Sequence, residues 1–147
     1  MPFVRAKIIK ANERNAIATL MNWEVYPASI YYALKRLSKY AGIKEIIVTE
    51  NGAAFKDELI QNNIADESRV DYLKSYIAQV LKAKNEGVHV TGYFVWTLLD
   101  NFDWAERFHP RFGLVYVDFT SQQRIVKSSG KWYGEFLKNN TGANPTN

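Results

Sequence analysis

The amino-acid sequence predicts an α/β fold assembled from parallel β-α-β units, and two observations carry that expectation. Short β-branched runs at residues 45–49 and 88–95 are separated by a long amphipathic stretch. A connection long enough to hold a helix places successive strands side by side and parallel. The composition is also globular, with 47% hydrophobic and 23% charged residues in a chain of 147. That length predicts a single domain with a core of its own, spanning residues 1–147.

The elements follow in order. Residues 1–20 are the least legible; Val4, Ala6, Ile8 and Ile9 fit either a short strand or a helix. Pro27 opens a helix expected to reach Tyr40, with Ile30, Leu34 and Leu37 on its apolar face and Gly42 as its C-cap. Residues 45–49 (Glu-Ile-Ile-Val-Thr) read as a strand buried on both faces, closed by the loop chemistry of Glu50-Asn51-Gly52. Asp66 or Ser68 caps a long helix whose buried stripe is Val70, Leu73, Ile77, Val80 and Leu81, and Gly87 ends it. Residues 88–95 form the next strand. Residues 113–119 and 124–126 pair as a hairpin across a turn at 120–123. Ser128 or Ser129 caps the last helix, with Trp132, Phe136 and Leu137 facing inward, and residues 141–147 form a flexible tail.

Several function classes fall away. The formal charge is +4, and the nineteen basic residues are interspersed with acidic ones, which argues against nucleic-acid binding. No apolar run approaches the roughly 18 residues of a membrane span, so a membrane role is not expected. The absence of cysteine excludes disulfides, thiolate metal sites and cysteine nucleophiles. With no apolar signal core at the N-terminus, a cytoplasmic location is expected. His89 lies in a strand pattern and His109 in a loop, too far apart in sequence to read as a metal site. The glycines are isolated, so there is no phosphate-cradling loop.

In parallel α/β sheets chemistry gathers at the carboxyl ends of the strands. Two polar clusters fall there. Glu50 follows a strand and suits catalysis, although a capping glutamate occupies the same kind of position. Residues 93–104 (Tyr-Phe-Val-Trp-Thr-Leu-Leu-Asp-Asn-Phe-Asp-Trp) set indoles beside carboxylates. Such a pairing suits a sugar, whose C–H face stacks on an indole while its hydroxyls bond the carboxylates. The same residues also fit core aromatics followed by an Asp100-Asn101 turn.

Taken together, these segments resemble the family 1 glycoside hydrolases, the β-glucosidases and their relatives. Ile46-Ile47-Val48-Thr49-Glu50-Asn51-Gly52 resembles the family's nucleophile motif, and residues 93–104 the motif after its eighth strand. Arg111-Phe112-Gly113-Leu114-Val115-Tyr116-Val117-Asp118-Phe119 resembles the segment that follows. Met21, Trp23, Glu24, Val25, Tyr26 and Pro27 resemble the stretch before the seventh strand, and Lys131-Trp132-Tyr133 the final helix.

The resemblance implies part of a (β/α)8 TIM barrel: the last two β/α units with a C-terminal hairpin and helix. A complete barrel takes about 250 residues, more than this chain of 147 contains. It further implies a retaining hydrolase of terminal β-linked sugars, with two carboxylates about 5 Å apart. Glu50 matches the nucleophile that forms a covalent glycosyl-enzyme intermediate. Among substrate-binding residues, Trp96 matches the indole floor of the reacting subsite, Asp103 a residue that binds distal hydroxyls, Trp104 an indole N–H donor and Phe112 an apolar wall. The family also has a cis peptide after the residue matching Trp96. No metal and no organic cofactor are implied, and the partner is a β-glucoside or related sugar.

This sequence departs from the family pattern at Asp103, where Glu is usual, and at Glu106-Arg107-Phe108, where Glu-Gly-Tyr is common. The acid/base motif Asn-Glu-Pro has no match, since Asn12-Glu13 is followed by Arg14. The activity of the chain alone is therefore expected to be incomplete. The alternative expectation is a non-catalytic barrel fragment that self-associates or binds a chain supplying the missing barrel half.

Overall fold

A computed structural model describes Glu13, residues 16–104 and residues 106–140. The expectations for Val4–Ile9 and for the tail at 141–147 lie outside the described residues. The order is α1 (Ala28–Leu37), β1 (Ile46–Asn51), α2 (Glu67–Asn85), β2 (Val90–Val95), β3 (Val115–Val117), β4 (Arg124–Val126) and α3 (Ser128–Asn140). The expected β-α-β unit is present: β1 and β2 pair in parallel with α2 between them in sequence. The expected hairpin is β3 against β4, with Tyr116 opposite Ile125.

Helix α1 starts behind Pro27, whose fixed φ suits a helix start. It stops at Leu37, with Ser38 as the C-cap, so neither Tyr40 nor Gly42 marks its end. Leu34 alone on this helix is fully buried, packed with Val80, Ala83, Val88 and Val90. Leu37 lies past the contact with α2 and is exposed. Helix α2 follows the predicted stripe at Val70, Leu73, Ile77 and Val80, but Leu81 faces solvent, and Tyr72 and Tyr76 take up the second buried row. Gly87 ends the helix as expected, at a φ of 89° that favours glycine. Asp66 precedes α2 without capping it by a side-chain bond; its carboxylate bonds Arg69 and Ser129 instead. Ser129 is accordingly buried inside α3, which begins at Ser128. Trp132 and Phe136 pack inward as predicted, whereas Leu137 is exposed.

The strand β1 corrects a further expectation. Only one of its faces is covered. Ile46 and Val48 pack toward the helices, while Ile47 is 47% exposed and Thr49 faces the same open side. On β2 the open side shows Phe94, 61% exposed, next to Gly92, which lies opposite Ile47. The β-branched run that signals two buried faces therefore has helices on one face only among the described residues. Strand β2 starts at Val90, and the stretch 113–119 is ladder only at Val115–Val117, because Leu114 donates out to Thr97 and Asp118 turns to Gln123.

Two tyrosines fix the end of β1. Tyr93 donates from its hydroxyl to Asn51 Oδ1 at 2.6 Å, and Asn51 Nδ2 donates to the Tyr72 hydroxyl at 3.2 Å. Tyr72 stacks on Tyr76 at 4.2 Å. Burial, followed by the fields of neighbouring tyrosines, pushes the hydroxyls of Tyr72 and Tyr93 well above the ordinary phenol range. Just beyond, Gly52 lies flush against β2: a Cβ there would sit 1.6 Å from the carbonyl oxygen of Trp96.

Two outcomes follow from this packing. Gly52→Ala forces β1 and β2 apart at their carboxyl ends and should lower unfolding free energy by about 3 kcal/mol, read by urea denaturation. The unfolded chain loses its tyrosine protons near pH 10, whereas the folded chain keeps those of Tyr72 and Tyr93. Stability is then full below about pH 10 and falls as pH rises above it, and Tyr93→Phe should flatten that fall in a pH series of urea midpoints.

Candidate active site

The carboxyl end of β1 presents Glu50 through an irregularity of pairing. Val48 faces Tyr93 and Asn51 faces Val95, so β1 advances three residues while β2 advances two. The extra residue leaves both Thr49 and Glu50 exposed and returns Asn51 to the helix side, where the tyrosines hold it. Among the described residues no side chain bonds the Glu50 carboxylate, which stands open at the strand end. Its neighbour Asn51 accepts from the Trp96 amide at 3.0 Å through its own carbonyl, so Glu50 and Trp96 lie at the adjoining ends of two paired strands.

Trp96 is 37% exposed, and the Trp96–Thr97 peptide is cis, as the resemblance implies. The chain then makes a long excursion before β3. Asp103 and Arg107 exchange both backbone bonds, at 2.7 and 2.8 Å, and Asp103 Oδ1 accepts from the Glu106 amide at 3.0 Å. Arg107 takes a φ of 61° in this turn, the left-handed region where the family pattern commonly carries glycine. Aromatic rings brace the excursion: Phe119 against Phe108 at 4.6 Å, Phe108 against Phe102 at 5.2 Å and Phe102 edge-on to Trp104 at 6.2 Å. Trp104 itself is 94% exposed, which rules out a core aromatic. Phe112, on the return arm, is buried and leans on Trp23 at 6.2 Å.

Glu50 and Trp96 thus lie at adjoining strand ends, Asp103 and Trp104 stand on the excursion after β2, and Phe112 is buried on its return arm. His89 is taken up by the Lys44 carbonyl at 2.8 Å, and His109 lies exposed in its loop.

Beneath these groups lies a set of charges that the sequence reading missed. Asp100, which the sequence also fits to a turn with Asn101, is buried. It accepts from Arg111 Nη1 at 2.8 Å, the Gly113 amide at 2.9 Å and Lys127 Nζ at 2.9 Å. Lys127 also reaches Asp57, which bonds Arg69 at 3.0 Å, and Arg69 bonds Asp66. Burial, then the nearby Arg69 cation, lowers the Lys127 ammonium from its usual range, while Asp57 and Asp100 oppose that shift. The missed signals were positional. Arg69 starts the row Arg69-Tyr72-Leu73-Tyr76 at helical spacing, and Lys127 shares a period-two face with Ile125.

Comparison with known proteins shows what the chain is similar to. The glycosyl hydrolase family 1 model matches residues 4–142. Beta-glucosidase A of Thermotoga maritima is 50% identical over 129 residues, which cover 87% of this chain and 29% of that protein. A 6-phospho-beta-galactosidase of Clostridium acetobutylicum is 41% identical over 125 residues, covering 84% and 26%. The family 1 β-glucosidase of T. maritima in complex with isofagomine lactam matches with a TM-score of 0.85 at 50% identity, covering 87% of this chain and 29% of that structure. The chain spans less than a third of the length of these relatives. Over that span the backbone matches that of the solved relatives, and the chain belongs to glycosyl hydrolase family 1.

Proposed function

We propose that this chain is the part of a retaining β-glycosidase barrel that holds its last two β/α units, and that Glu50 is the nucleophile. The observation that carries the reading is the position of Glu50, exposed and without a bonded side-chain partner among the described residues, at the end of a strand paired in parallel with the strand that ends before Trp96. A carboxylate that accepts no internal bond remains nucleophilic toward an anomeric carbon. An indole face beside it supports the C–H face of a pyranose. Asp103 and Trp104 offer a carboxylate and an N–H to its hydroxyls, with Phe112 supporting the wall they stand on. Relatives named as β-glucosidases, and their complexes with sugar-like inhibitors such as isofagomine lactam and deoxynojirimycin, make a terminal β-glucoside the preferred substrate class.

The acid/base is the part the sequence does not supply. Protonation of the leaving oxygen contributes roughly 10²- to 10⁴-fold, so ordinary glucosides demand a carboxyl group from further barrel units. A second reading is favoured by the open face of the β1–β2 sheet, where Ile47 and Phe94 are exposed. Such a face draws the chain into association with itself or with a chain supplying the missing units.

The test is hydrolysis of an aryl β-glucoside with a good leaving group, by the purified chain and by the chain mixed with a polypeptide supplying the preceding units of the barrel. Expected is Glu50-dependent turnover in the mixture, reduced by about 10³-fold or more in Glu50→Gln. Equal turnover in the variant would assign the chemistry to another group. Native mass measured on the same samples separates the second reading: a chain that forms oligomers without turnover is the fragment that acts through association.

A further inference from the structure

Six ionisable side chains form an unbroken line beneath the segments that leave β1 and β2: Asp66, Arg69, Asp57, Lys127, Asp100 and Arg111. Three carboxylates meet three cations, so the line sums to zero. All but Arg111 have fully buried side chains or nearly so. Asp57 belongs to the segment between β1 and α2, seven residues past Glu50. Asp100 belongs to the segment after β2, four residues past Trp96 and three before Asp103. Each carboxylate anchors its own segment. Asp57 is gripped by Arg69, whose Nε also donates to the Ala53 carbonyl at 3.4 Å. Asp100 takes the amides of Gly113 and Val117, at 2.9 and 3.4 Å, and so holds the far end of its excursion. Lys127 is the cation in the line that touches a carboxylate of each segment.

A buried ammonium between two carboxylates is a poor device for stability alone, because desolvation offsets much of the attraction and apolar side chains of similar volume do as well. What it supplies is a bridge of fixed length. We infer that Lys127 is a positioning residue, locking the segment of Trp96 and Asp103 against that of Glu50. The consequence for catalysis rests on the glycosidase reading above; the bridge itself rests on geometry. Arg69 adds a tie of another kind, from Nη2 to the Arg111 carbonyl at 2.6 Å, which holds the return arm rather than the Asp100 side.

The experiment uses the full chain labelled with fluorotryptophan, giving one fluorine signal for each of its four tryptophans. Lys127→Met is compared with the pair Lys127→Met and Asp57→Asn, which restores a net charge of zero to the line. Lys127→Met should lower the urea midpoint, and adding Asp57→Asn should recover it. The Trp96 signal should split or broaden in both, with Trp132 remaining a single line. A Trp96 signal in the paired variant as sharp as in the unaltered chain, at the same shift, would make Lys127 a charge balancer and overturn the inference. An unchanged midpoint in Lys127→Met would overturn it too. If the single variant does not fold, the charge-balanced pair carries the test. No sugar enters this readout, so a failure to hydrolyse glucosides and a failure of the bridge are told apart.

Discussion

The buried alternation of charge from Asp66 to Arg111 is the constraint on which the rest of this structure depends. Each group in it would be costly alone in a dry interior, and each becomes tolerable because its neighbours carry the opposite sign and occupy its bonding directions. The line joins α2, through Arg69, to the start of α3, through Lys127 and Ser129. It also passes under both segments that follow the parallel strands. The apolar clusters hold the helices to one side of the sheet. The charged line determines where the irregular segments come to rest, which apolar packing could not do with polar backbone so close.

Much of the architecture was legible because its signals are periodic. The α2 stripe at Val70, Leu73, Ile77 and Val80, the Gly87 terminus and the parallel pairing of β1 with β2 all follow from spacing and connection length. Several errors share one cause. Leu37, Leu81 and Leu137 read as buried since they continue an apolar pattern, yet each is exposed at the margin of its helix's buried stripe. Residues 45–49 read as doubly buried from their composition. Among the described residues only one face is covered, in a chain that spans under a third of its relatives.

The site divides in the same way. Glu50 and Trp96 are singled out by their motifs, and the backbone sets them at neighbouring strand ends. The charges that support them were overlooked because Asp100, Lys127 and Arg69 are residue types expected at the surface. Their burial is a tertiary fact: each becomes tolerable only when partners from distant parts of the sequence arrive, Asp57 to Lys127 being seventy positions apart. Trp104 is the reverse case, an aromatic that composition assigns to a core and that the fold leaves almost wholly in solvent.

The extra residue between Val48 and Asn51 also bears on transplantation. Straight alternation onward from Val48 would turn Glu50 toward the helices and leave Asn51 outside, away from Tyr72 and Tyr93. Strand β1 therefore runs in two phases, one that seats it on its helices and one that aims its carboxylate. Anyone moving the Glu50-Asn51 pair to another parallel strand must carry that change of phase along with it. The residues alone, grafted onto a regular strand with the same apolar spacing, would deliver the acid to the hydrophobic layer and the amide to water.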